Sequence, residues 1–143
     1  IFRSYGAWHL EAMDSHGAWI ASAVDLVKFS AALEDAPGRL LDADQLIEMA
    51  ALDASRPDNL PDQSWHYGLG WVIRPQGDSY KRSHTGSLAG TSTLMARRAD
   101  GIHWVVLFNQ RDTAKNQRLS ATIEPLLKAA ADALWSKGNE SQP

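Results

Sequence analysis

Residues Ser83–Met95 read SHTGSLAGTSTLM. A strand-like segment, Tyr80–Ser83, runs into His84-Thr85-Gly86-Ser87. Gly90 follows, and then a second strand-like segment begins. From these residues alone the tetrapeptide has two readings. It is a polar hairpin turn, or it is a strand end whose imidazole, hydroxyls and flexible glycine face a cleft. In the second case the backbone N–H groups beside the glycine are suited to stabilising an oxyanion.

Four strand candidates surround this stretch. Tyr67–Arg74 (YGLGWVIR) ends at a turn, Pro75-Gln76-Gly77-Asp78, and Ser79–His84 returns. Gly90–Arg97 ends at Ala99-Asp100-Gly101, a hairpin signal. Ile102–Phe108 is nearly all apolar, as expected of a central strand covered on both faces. The short connections predict an antiparallel meander.

The flanking sequence is helical. Ser22-Ala23-Val24-Asp25 has capping-box spacing, and Leu26, Phe29 and Leu33, widened by Val27 and Ala31, form an apolar stripe. This predicts a helix over about 23–34, stopped by Pro37-Gly38. Asp42 and Gln45 repeat the capping pattern before a short helix over about 43–51. Residues 52–64, polar with two prolines, read as an exposed loop. Ile123, Leu126, Leu127, Ala130, Ala131 and Leu134 follow helical spacing. Pro125 fits a first turn, which places the last helix at about 122–136 with a frayed tail. Residues 1–21 read as a loop with at most a short strand. The expected fold is therefore α+β: a single domain over 1–143, with an antiparallel sheet of about 3–4 strands within residues 67–108, flanked by helices.

Composition narrows the classes. The chain has 143 residues, 44% hydrophobic and 22% charged, with net charge −3 and signs mixed along its length. No basic patch interleaved with aromatics argues for nucleic acid. The longest apolar run, in GIHWVVLFNQ, is too short to span a bilayer. With no cysteine there is neither a disulfide nor a thiolate metal site. The five histidines (9, 16, 66, 84, 103) show no metal-ligand spacing, and His103, in an apolar strand, reads as a satisfied core or edge histidine. The six tryptophans are read mainly as packing residues, Trp71 in the sheet among them. No G-x-S-x-G elbow is present. The chain begins at Ile1 rather than Met, compatible with a piece of a longer protein.

Four segments in order carry a resemblance. They are L-E-x-M-D-S-H-G-A-W-I-A-S-A-x-D-L-x-x-F at 10–29, Y-G-L-G-W at 67–71, H-T-G-S-x-x-G at 84–90, and an apolar strand ending in Phe108-Asn109. Together they resemble the C-terminal part of the serine beta-lactamase and penicillin-binding-protein-like hydrolases. The nearest branch holds class C beta-lactamases, D-alanyl-D-alanine carboxypeptidases and related esterases.

The resemblance implies a partial beta-lactamase/transpeptidase-like fold and acyl transfer through a serine acyl-enzyme, with a lactam, D-Ala peptide or ester as substrate. It places His84 as the basic residue of the cleft strand, binding a substrate carboxylate or helping the proton relay. Thr85 would offer its hydroxyl, Gly86 close backbone approach, and the Ser87 N–H one oxyanion donor. It implies no cofactor or metal and an extracytoplasmic, periplasmic or secreted setting. It also implies a sheet edge bared for a missing N-terminal half, or for self-association.

The departure is specific. No serine is followed by Lys at the third position, and neither Tyr-x-Asn nor Ser-x-Asn occurs. The chain thus lacks the family's nucleophile and proton acceptor and is expected to be catalytically silent alone. The alternative is a non-catalytic binding or interaction module that keeps part of the fold.

Overall fold

The computed structural model describes residues 9–13, 17, 19–34, 40–57 and 64–140. Expectations for Trp8, His16, the Pro37-Gly38 stop and the middle of the 52–64 loop lie outside these residues. The described elements are a short 3-10 helix (Leu10–Met13), α1 (Ala23–Ala32), α2 (Ala43–Ala50), β1 (His66–Tyr67), β2 (Val72–Gln76), β3 (Ser79–Leu88), β4 (Thr91–Arg97), β5 (His103–Phe108) and α3 (Leu119–Glu140). The strands form one sheet in the order β1-β2-β3-β4-β5, an antiparallel meander as expected. The chain divides into two compact units. One holds Trp19–Thr85 and Leu94–Val106. The other holds Ile1–Ala18, Gly86–Thr93 and Leu107–Pro143, as far as these are described.

In the first unit both helix starts follow their caps. Ser22 Oγ accepts from the Asp25 N–H (3.1 Å), and the Ser22 hydroxyl also holds the Asp25 carboxylate, keeping its pKa below the usual carboxylate value. Asp42 and Gln45 complete a reciprocal capping box, each side chain accepting from the other's N–H at 2.9 Å. The buried stripe of α1 differs from the predicted one. Phe29 is 45% exposed, whereas Ser30 is fully buried. Ser30 is buried because its polar atoms have partners: Oγ hydrogen-bonds His103 Nδ1 at 2.9 Å and the carbonyl accepts from Arg82 at 2.8 Å.

Leu33, Met49, Trp71 and Ile73 form the core of this unit, with Leu41, Leu46, Tyr80 and Met95 packed around them. Trp71, expected to pack in the sheet, stands in the turn just before β2 and is buried in this core. Among the other described tryptophans Trp65 and Trp104 are half-buried and Trp19 is exposed.

Five strands stand where three or four were expected, because YGLGWVIR is two strands rather than one. Tyr67 pairs with Val72, and the Gly68 N–H closes the turn onto the Trp71 carbonyl at 2.8 Å. Gly70 takes φ +80°, which a glycine adopts without strain and which interrupts the extended run. Pro75 belongs to β2, paired with Tyr80, and only Gly77-Asp78 form the turn, with Gly77 at φ +60°.

A second correction concerns Ile102–Phe108. Among the described strands β5 lies at the edge of the sheet, not its centre, and its residues are half-buried with Leu107 exposed. Its apolar composition therefore reports partial cover rather than burial on both faces. The β4–β5 turn is the predicted one. Gly101 sits at φ +87°, and the Arg98 guanidinium hydrogen-bonds Asp100, lowering that carboxyl's pKa.

In the second unit Leu10–Met13 is a short helix, where a loop or strand was expected. α3 begins three residues before the predicted start and continues to Glu140, so the tail expected to fray is helical that far. Its first N–H groups find partners outside the helix: Leu119 N–H donates to the Arg111 carbonyl and Ser120 N–H to Ser92 Oγ. This early start leaves Pro125 inside α3 rather than in its first turn, where it removes one intrahelical donor. Ser120, Ile123, Leu127 and Ala131 form the inward stripe, while Leu126, Ala130 and Leu134 are exposed. No helix among the described residues is long and apolar enough to cross a membrane.

Candidate functional site

His84-Thr85-Gly86-Ser87 is strand, not turn. β3 continues through Leu88, and Ala89-Gly90 make the reversal, with Gly90 at φ +82°. The ladder between β2 and β3 runs from Gln76↔Ser79 to Val72↔Ser83 and stops there. Among the described residues, β3 beyond Ser83 therefore extends past the end of β2. His84, Thr85 and Ser87 are exposed along this overhang and Gly86 is half-buried.

His84 is oriented from β1. The registers Tyr67↔Val72 and Val72↔Ser83 put Tyr67 in one cross-strand row with the residue just before His84. The Tyr67 hydroxyl meets His84 Nε2 at 2.8 Å, and the rings lie edge to face, centroids 6.0 Å apart at 72°. Behind the phenol, the Arg56 guanidinium carbon lies 4.9 Å from the ring centroid, a cation–π contact. Neither Tyr67 nor Arg56 was singled out as a site residue. The available signal was the Y-G-L-G-W motif, which supplies the tyrosine and the glycines of its tight turn.

At Gly86 the strand has no room for a side chain, since a Cβ there would collide with Thr93 Oγ1. The obstructing atom is the tip of a side chain rather than backbone, so the conflict is removable. Gly86→Ala is expected to destabilise the protein by about 1–3 kcal/mol, the usual cost of overpacking. Adding Thr93→Ala should recover most of that loss. Urea denaturation of the single and double variants checks this, and an undiminished loss in the double variant would refute the steric cause.

A Ser–His–Glu series occurs elsewhere in the first unit. Ser30 Oγ bonds His103 Nδ1 at 2.9 Å, and His103 Nε2 lies 3.8 Å from Glu34 Oε1. It is not a nucleophile site, because Ser30 is wholly buried and the same Glu34 oxygen already receives Arg82 Nη1 at 3.0 Å and Arg97 Nε at 2.7 Å. His103 is thus the satisfied strand histidine its setting suggested.

After β5, Asn109, Gln110 and Arg111 are exposed. Asp112 bridges Arg111 (2.7 Å) and Arg118 (2.9 Å), and these bonds, Arg111's first, hold its carboxyl below the usual range. No group of three or more His, Asp or Glu side chains able to hold a metal stands among the described residues.

The arrangement offers one imidazole in a defined orientation, two exposed hydroxyls and a half-buried glycine along an overhanging strand. It supplies no activated nucleophile. A family model described as Beta-lactamase matches residues 3–127. No curated protein and no solved structure matches the chain.

Proposed function

Because the chain belongs to the beta-lactamase family, with 3–127 covered by its model, we propose that it supplies the substrate-binding strand of a serine hydrolase. In that reaction a serine attacks an amide, lactam or ester carbonyl, and water hydrolyses the resulting acyl-enzyme. The single observation that carries the reading is the overhang of β3 beyond Ser83, with His84, Thr85 and Ser87 exposed along it. A strand that outruns its neighbour has open backbone groups to which an extended substrate can pair.

On this reading His84 and Thr85 hydrogen-bond the substrate's carboxylate or carbonyl oxygens. Gly86 lets its backbone lie close, and the Ser87 N–H is one of two donors to the tetrahedral oxyanion. The finer assignments, lactamase, D-Ala carboxypeptidase or esterase, turn on residues that meet the leaving group, and the strand is common to all three.

The chain itself is expected to form no acyl-enzyme, because no Ser-x-x-Lys exists in it and Ser30, the serine nearest a histidine–glutamate pair, is buried. Intact-mass spectrometry after incubation with a fluorophosphonate or a beta-lactam tests this. An unmodified mass is expected, and stoichiometric labelling would overturn the assignment of roles.

The missing nucleophile also favours a second reading, a non-catalytic binding module on the same fold. A Ser-x-x-Lys helix encoded in the same reading frame upstream supports the hydrolase. A start codon directly before Ile1 supports the module.

A further inference from the structure

His84 has two ring nitrogens, either of which can carry the ring proton. Two nitrogens mean opposite chemistries. A ring protonated on Nδ1 offers that N–H as a donor, whereas one protonated on Nε2 offers Nδ1 as an acceptor. The tautomer is set by the partner of the other nitrogen.

We propose that Tyr67, backed by Arg56, is a positioning residue that fixes His84 in the Nδ1–H tautomer, so that the imidazole presents a donor for a substrate carboxylate or carbonyl oxygen. The inference rests on the placement of His84 in the substrate-binding strand.

Three observations carry it. The Tyr67 hydroxyl lies 2.8 Å from Nε2, within the range of a full hydrogen bond. The edge-to-face ring contact at 72° adds a second constraint, so the imidazole is held in rotation as well as position. The Arg56 cation over the phenol face, 4.9 Å from its centroid, draws electron density from the ring and so favours the phenol as donor over acceptor. With Tyr67 donating, Nε2 accepts through its lone pair and the ring proton resides on Nδ1.

Tyr67 is suited to this task by its backbone. It is paired to Val72, and the turn that follows is tied down by Gly68 N–H to the Trp71 carbonyl and Leu69 N–H to the Met49 carbonyl at 2.9 Å. An exposed histidine on an overhanging strand is thereby oriented by an element anchored to a helix end.

The consequence for substrate binding is direct. An Nδ1–H donor meets an acceptor, a carboxylate or a carbonyl oxygen, which all the substrate classes sharing this strand offer. His84 then acts in binding and orientation, not as the base that deprotonates the nucleophile.

The test is a long-range proton–nitrogen NMR correlation of the 15N-labelled chain, at a pH where the imidazole is neutral. In the wild-type protein the His84 pattern should show a protonated Nδ1 and an unprotonated, hydrogen-bonded Nε2. Tyr67→Phe keeps the ring contact and removes only the hydroxyl. It should move His84 towards Nε2–H, the form preferred by an unpartnered imidazole, and Arg56→Gln should move it part of the way. A wild-type pattern protonated on Nε2 overturns the proposal without need of any variant. So does a pattern unchanged in a folded Tyr67→Phe protein. These readouts involve no substrate, whereas the strand's role in the hydrolase is judged by covalent labelling, so either idea can fail without the other.

Discussion

Glu34→Ala is expected to lower the unfolding free energy by roughly 3–5 kcal/mol, the cost of leaving buried charge uncompensated. One carboxylate oxygen of Glu34 receives both Arg82 and Arg97, and the Arg82 side chain has no exposure at all. Arg82 keeps the Ser30 carbonyl and its place over the Trp71 ring, 5.3 Å from the centroid, but neither supplies negative charge. Arg82 Nε already lacks a partner, so the guanidinium has no reserve of hydrogen bonds to draw on. Denaturant unfolding of the variant measures the loss. Asp100→Asn is the comparison, since it removes an ion pair of similar length (2.7 Å) in a partly solvated turn. It should cost under about 1 kcal/mol. Equal losses from the two variants would mean that burial of Arg82 does not govern the energy.

Gly68→Ala should have the second large effect, at or above the roughly 1–3 kcal/mol of ordinary overpacking. A Cβ on Gly68 would run into the Met49 carbonyl oxygen, and its next neighbour is the Ile73 side chain. Unlike the conflict at Gly86, this one is with backbone at the end of α2 and has no rotamer that relieves it. The same carbonyl accepts the Leu69 N–H at 2.9 Å, so moving it breaks a hydrogen bond as well. Gly70→Ala is the control. Its Cβ meets nothing within 4 Å and the substitution bears only the strain of a positive φ, about 1–2 kcal/mol. Thermal unfolding of both variants tests the order, and Gly70→Ala proving the worse would refute it.

The helices and hairpin turns were legible because their signals are local. Ser22 with Asp25, Asp42 with Gln45, and Asp100-Gly101 each specify a hydrogen-bond pattern within four residues. The errors came where distant partners decide. Ser30 replaces Phe29 in the buried stripe of α1 because Arg82 and His103 reach it across more than fifty positions of chain. The early start of α3, which displaces Pro125 from the first turn, depends on the Ser92 hydroxyl. β5 reads as central from its apolar run, yet its edge position among the described strands is a property of topology that composition does not encode. At the candidate site the tetrapeptide 84–87 was visible as a motif. Tyr67 was visible too, within Y-G-L-G-W, but its pairing with His84 was not, because that relation passes through two strand registers.

The overhang of β3 has a cost for the molecule in solution. Backbone groups on the side of β3 that β2 does not reach are open to the strand of another copy, which is how sheets seed aggregates. The side chains carried there reduce that hazard. His84, Thr85 and Ser87 are polar, and Gly86 adds no apolar bulk against which a second sheet could stack. An incoming strand would thus gain hydrogen bonds but little apolar contact. The hydrophilic make-up of HTGS is therefore a colloidal safeguard: it leaves an exposed strand end with little apolar surface for a second sheet to stack on.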